Sequence, residues 1–203
     1  MFALVESGNI TKMMRGNKGI TIGDNQYPAA IFTVWTESER NAIGIYTIEI
    51  DETNRKNEEW YINTDITYAY DSSAKKVKGT YGTATAKAHA DTKWTQSEID
   101  AGNAPAGADT NTVKTEGLKK ILIRAIKLQV KSILNETDWY ITRKAEKSTA
   151  IPSAITTHRD AVRTKQAAME TAITNAADTA ALETLHTRDS NGDRPLGDLP
   201  TLE

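Results

Sequence analysis

The chain has 203 residues, 38% of them hydrophobic, with a mean hydropathy of -0.53, so it can bury one moderate core or two small ones and can complete its burial on a neighbour. Its 25 Lys and Arg stand against 27 Asp and Glu, a formal net charge of -2, which gives no general affinity for nucleic acid or for an acidic membrane. Cysteine is absent, which removes disulfides, thiolate metal sites and cysteine nucleophiles together. The first residues, MFALVESGNITKMMRG, reach Glu6 after a short apolar run, and no later stretch is long enough for a bilayer, so neither a leader nor a membrane span is expected.

From residue 1 to about 90, Val, Ile, Thr and Tyr alternate with polar residues, and turn signals such as Ser7-Gly8-Asn9 and Gly23-Asp24-Asn25 separate the runs. This half is expected to be β-rich. Its clearest hairpin puts Ile66, Tyr68 and Tyr70 on one face, turns at Asp71-Ser72-Ser73 and returns through Val77, with lysines facing water or guarding an edge. WTESERNA at 35–42 and WTQSEIDA at 94–101 share Trp-Thr-x-Ser-Glu-x-x-Ala. The Thr36–Glu39 and Thr95–Glu98 spacings are those of a capping box, so each copy is expected to open a short helix. Residues 100–115, rich in Gly, Ala, Asn and Thr, read as a linker.

Beyond it the period becomes helical. Leu118, Ile121, Leu122, Ala125, Ile126, Leu128, Ile133 and Leu134 make a helix apolar around much of its circumference, with Lys119, Lys120, Arg124, Lys127 and Lys131 as the remainder. A second long helix, opened by Pro152 in its first turn, carries Ile155, His158, Val162, Lys165, Met169, Ala172 and Ala176 at alternating three and four spacing. That is the pattern of a bundle or coiled-coil seam and is expected to serve self-association. Between the two helices, Thr137 is expected to cap a short helix, Asp138 to favour its dipole, Trp139 and Ile141 to be buried anchors, and Arg143 and Glu146 to face outward. Arg159 and Arg163 are then placed to reach the carboxylates of that corner.

The chemical motifs are incomplete. His158-Arg159-Asp160 matches the triplet of a kinase catalytic loop but lacks the loop context, the downstream Asn, the Gly-rich loop and the Asp-Phe-Gly. Asp189-Ser190-Asn191-Gly192-Asp193 resembles the start of a calcium loop, yet Arg194 stands where Gly is needed and Pro200 where the closing Glu belongs. The histidines at 89, 158 and 186 lie in separate segments without the spacing of a metal pair. Glu58-Glu59 reads as solvated surface. No enzyme, metal or cofactor is expected.

The run Thr137-Asp138-Trp139, Arg143, Glu146, Pro152, Arg159, Arg163 resembles the C-terminal helical module of tailed-phage structural and tail-fibre-associated proteins. The segments MFALVESGNI and ITIGDNQYPAAIFTVWTESERNAIGIY resemble the small β module that accompanies it, and RPLGDLPTLE is similar to the closing segment of those proteins. The resemblance implies a virion component, made in the host cytoplasm, of the tail, baseplate or tail-fibre apparatus, or else an assembly chaperone that leaves the particle. It implies phage tail or virion proteins as partners, and a homo-oligomer for which a trimer is favoured, without nucleic acid or membrane. The fold class expected is α+β: a β-rich docking module over 1–92, a short helix and linker over 93–115, a helical oligomerisation module over 116–188 and an extended tail over 189–203. A cell-wall hydrolase, the enzymatic alternative, needs paired carboxylates in a cleft.

Overall fold

The computed structural model describes residues 1–202 and is an α+β protein with strands first and helices after. It divides into two compact units, 1–85 and 86–203.

The first unit holds β1 (Phe2–Glu6), β2 (Asn9–Met14), β3 (Ile20–Ile22), β4 (Asn25–Tyr27), α1 (Ile31–Val34), α2 (Glu37–Ala42), β5 (Ile45–Asp51), β6 (Tyr61–Ile62), β7 (Ile66–Asp71) and β8 (Lys76–Tyr81). Five strands form one sheet in the order β2-β1-β5-β8-β7. All neighbours are antiparallel except β5 and β8, and the edge strands β2 and β7 approach each other, so the sheet curls. β1 explains the double burial: Leu4 joins one cluster with Ile20, Ile31, Phe32 and Ile45, while Ala3 and Val5 join another with Ile48 and Val77. A strand covered on both faces reads as a continuous apolar run rather than an alternating one, which is what Phe2-Ala3-Leu4-Val5 is.

The expected 66–81 hairpin forms, with Tyr70 opposite Val77 and Tyr68 opposite Gly79. Its turn is fixed by the Asp71 carboxylate, which accepts from Ser73 N, Ser73 Oγ and Ala74 N and from Lys78 at 3.1 Å. Those bonds, Ser73 Oγ foremost, hold the carboxyl far below its ordinary pKa. The lysines do not guard an edge. β8 is an interior strand, and Lys76 pairs with Glu49 on its parallel neighbour.

The second unit follows β9 (Thr85–Ala86), which lies at the division. It contains β10 (Thr92–Lys93), α3 (Gln96–Asp100), β11 (Val113–Thr115), α4 (Leu118–Asn135), α5 (Asp138–Lys147), α6 (Ser153–Asn175) and α7 (Thr179–His186). The expected linker is part of this unit: β10 and β11 pair across it, and Asp109 closes the turn before β11 through Thr112 and Asn111. Its Gly and Asn serve turns rather than a free spacer. Both capping boxes are present, at Thr36–Glu39 and Thr95–Glu98. Lys114 adds an ion pair to Glu98 and lies over the Trp94 ring at 4.9 Å.

The helical core consists of Ile126, Val130, Ile155, Val162, Met169, Ile173, Leu182 and Leu196, all buried. α4 packs along α6, and α6 meets α7. The stripe predicted as an oligomer seam therefore has its cover within the chain. Ile155, His158, Val162, Met169 and Ala176 are buried, with Lys165 and Ala172 half-buried, and Val162 is fully inaccessible in the single chain. A helix with one apolar stripe needs one partner face, and α4 supplies it.

Candidate functional site: the helical corner

The α4–α5–α6 corner gathers most of the residues singled out in the sequence, and one side chain organises it. Arg159 is 7% exposed. Its Nη1 donates to the Leu134 carbonyl at 2.7 Å and to Thr137 Oγ1 at 2.6 Å, and its Nη2 reaches Asp138 Oδ1 at 2.8 Å. A planar guanidinium is the side chain that can serve a carbonyl, a hydroxyl and a carboxylate at once. The Leu134 carbonyl belongs to the last turn of α4, where unpaired carbonyls carry the negative end of the helix dipole, so the cation is favoured there twice over.

The other end of the pair repeats the device. Lys119, in the first turn of α4, donates to the Thr174 carbonyl in the last turn of α6 at 2.8 Å. With Lys127 paired to Glu170 between them at 3.5 Å, α4 and α6 run antiparallel and are clamped at both ends by cations on carbonyls.

Thr137 is not a side-chain cap of α5. Its Oγ1 donates back to Leu134 O at 3.1 Å and accepts from Arg159, which leaves it unable to turn toward the α5 amides. Thr137 is 3% exposed, and the inward guanidinium outcompetes the cap. Asp138 holds its expected place in the first turn of α5. Pro152 occupies the N-cap position of α6, one residue before its first turn, and Thr156 N bonds to its carbonyl. Arg163 does not reach the corner; it pairs with Asp160 on its own helix at 3.6 Å. In the His158-Arg159-Asp160 triplet, the first two residues are buried in mid-helix and the third is exposed, which is helical periodicity rather than a catalytic loop.

Trp139 and Ile141 are not buried anchors. They are 51% and 44% exposed, and α5 buries no residue of its own. Because Arg159 locks the corner from within, α5 rides on it with Trp139 outward and Tyr140 half-buried. Trp139 stacks on Tyr140 with centroids 3.8 Å apart, and the half-buried Arg143 guanidinium lies 4.7 Å from the Trp139 ring and 5.2 Å from that of Tyr140. Glu146 is exposed as expected. Ser148 ends α5 in the left-handed conformation, its N–H donating to Lys144 O.

The chain matches no family model, no curated protein and no solved structure. Chemically, the corner offers an exposed Trp139 ring backed by the half-buried Tyr140 and Arg143, next in sequence to the exposed Asp138. No group of three or more metal-ligating side chains occurs among the described residues. What sequence reasoning missed is the contact between Arg159 and the Leu134 carbonyl. The available signal was that α4 ends in Leu134-Asn135 with no basic residue of its own in the last turn, so the negative end of its dipole was open to a cation from another helix.

Proposed function

We propose that the chain is a structural component of a bacteriophage particle, in its tail, baseplate or tail-fibre apparatus, that works by protein–protein docking and self-association rather than by catalysis. The observation that supports this reading is the corner itself. Thr137 and Asp138, two of the residues that carry the resemblance to phage tail proteins, meet the buried guanidinium of a third, Arg159, and the helix that follows exposes Trp139 with the half-buried Tyr140 and Arg143 against its ring. Trp, Tyr and Arg are the residue types that dominate the energetics of protein interfaces.

Self-association, with a trimer favoured by the resemblance, falls to the exposed apolar side chains. Ile121 and Leu128 on α4 are 45% and 62% exposed and lie on one helical face, because positions 121, 125 and 128 are four and three apart. The α6 stripe is occupied and takes no part in it. The second reading, an assembly chaperone that leaves the finished particle, uses the same surface transiently. Quantitative mass spectrometry of purified particles separates the two: a fixed ratio to the major tail protein supports the structural role. Recovery in the infected-cell lysate but not in particles supports the chaperone.

A further inference from the structure

The end of β2 and the loop that joins it to β3, far from the corner in sequence, carry Lys12, Arg15 and Lys18 within seven positions, and no acidic residue occurs between Glu6 and Asp24. Several cations elsewhere in the same unit are matched: Lys76 by Glu49, Lys78 by Asp71, Arg55 by Glu52 and Glu58. Among the described residues these three make no ion pair. They line a cavity of about 230 Å3 whose apolar wall includes Met14 and Ile20, the latter 5% exposed.

We infer that this cavity binds a compact oxyanion of the phosphate class. Its frame is set in advance. Gly16 has φ +79°, and a Cβ there would lie 2.9 Å from the Phe2 ring and 3.0 Å from Phe32, so the loop rests directly on the core. A Cβ on Gly19 would lie 2.6 Å from the Tyr27 carbonyl oxygen, which seats the other end of the loop against β4. Between these two contacts, the backbone N–H groups of residues 15–19 donate to no acceptor among the described residues. A left-handed residue in such a turn is the conformation in which successive N–H groups converge on an anion. Arg15 supplies a fork suited to two oxygens of one phosphate, and Lys12 and Lys18 supply point charges. A cavity of this size holds one tetrahedral anion and the first atoms of whatever it is attached to, and three cations with amide donors match a dianion better than a single carboxylate. The site accepts either inorganic phosphate or the phosphate of a small phosphomonoester, since the recognised chemistry is the same.

The test is amide-resolved NMR of the full chain titrated with sodium phosphate, then with glycerol phosphate, against sodium chloride and sodium acetate at matched ionic strength. Saturable shifts confined to residues 12–20, with at least a tenfold weaker affinity in the Arg15→Gln, Lys18→Gln double variant, are expected. The exposed Lys75→Gln variant is the charge control and should keep the wild-type affinity. Saturation by phosphate alone identifies the free ion as ligand; tighter saturation by glycerol phosphate identifies the ester. Shifts that do not saturate, that chloride reproduces, or that persist unchanged in the double variant overturn the inference. Both substituted residues are exposed, so the spectrum outside the loop reports directly that the variant is folded.

Discussion

Replacing Arg159 by Ala should be the most destabilising single change at the corner. The substitution removes two short bonds from Nη1, to Leu134 O and Thr137 Oγ1, and one from Nη2 to Asp138. Charge-assisted bonds contribute about 1.5 to 3 kcal/mol each when buried, but the Asp138 side chain is 53% exposed, so solvent screens its share to well under about 1 kcal/mol. The Leu134 carbonyl keeps the Thr137 N–H and hydroxyl as donors, so it is not orphaned by the loss. The expected cost is about 3 kcal/mol, at the lower end of what breaking a buried ionic network costs. Asp138→Asn should cost less than about 1 kcal/mol because its end of the bridge is wet. Arg159→Lys should fall between them, since one ammonium cannot reproduce the fork. Urea denaturation followed by far-UV circular dichroism measures all three. An Arg159→Ala cost below about 1 kcal/mol, or an Asp138→Asn cost equal to it, would refute the claim that the guanidinium organises the corner.

Trp139→Ala should behave as a surface change of about 1 kcal/mol or less, mostly its cation–π contact with Arg143, whereas Met169→Ala on the buried α6 stripe should cost roughly 2 to 5 kcal/mol; thermal or urea melts of the pair give the ranking. The Glu98 carboxyl is held down to about 2 by Lys114 first and then by the Thr95 backbone and hydroxyl. A carboxylate depressed in the folded state contributes stability above its unfolded pKa and loses it as pH falls through the folded one, so the α3 cap should weaken between about pH 4.5 and 2. Side-chain carboxyl NMR should find that low midpoint, and Lys114→Met should raise it; an unshifted midpoint near 4.5 would contradict the geometry. Ile121→Gln with Leu128→Gln should shift sedimentation toward monomer without lowering the melting temperature. Melts with and without a chelator should coincide, and a drop of many degrees would reveal a structural metal.

The α+β order, the 66–81 hairpin and both capping boxes were legible because each is local: alternation, an Asx turn and a Thr-x-x-Glu spacing act within a few residues. The corner was legible as a place and illegible in its polarity. An apolar Trp139 followed by Ile141 reads as a core anchor in one dimension, and only the buried Arg159 beneath Thr137 shows that the interior was already filled. The α6 stripe failed in the opposite direction. Its spacing reports an apolar partner face but not whose, and α4, read as needing several neighbours, turned out to supply that face from the same chain while leaving Ile121 and Leu128 outside. By composition the β-rich module runs to 92 and the boundary falls in the Gly-, Ala-, Asn- and Thr-rich stretch at 100–115, whereas the second compact unit already begins at 86, and Thr179 Oγ1 bonds to the Lys87 carbonyl over a sequence separation no local pattern encodes.

Site-specific photocrosslinking in the assembled particle tests the docking role of the corner most directly. A photoreactive phenylalanine derivative replaces Trp139 in the full chain, and a second variant carries it at Ser72, in the exposed hairpin turn, as reference. The account predicts that irradiation joins position 139 to another particle protein or to a second copy of the chain, at higher yield than position 72. Efficient crosslinking from position 72 with none from position 139 would contradict it.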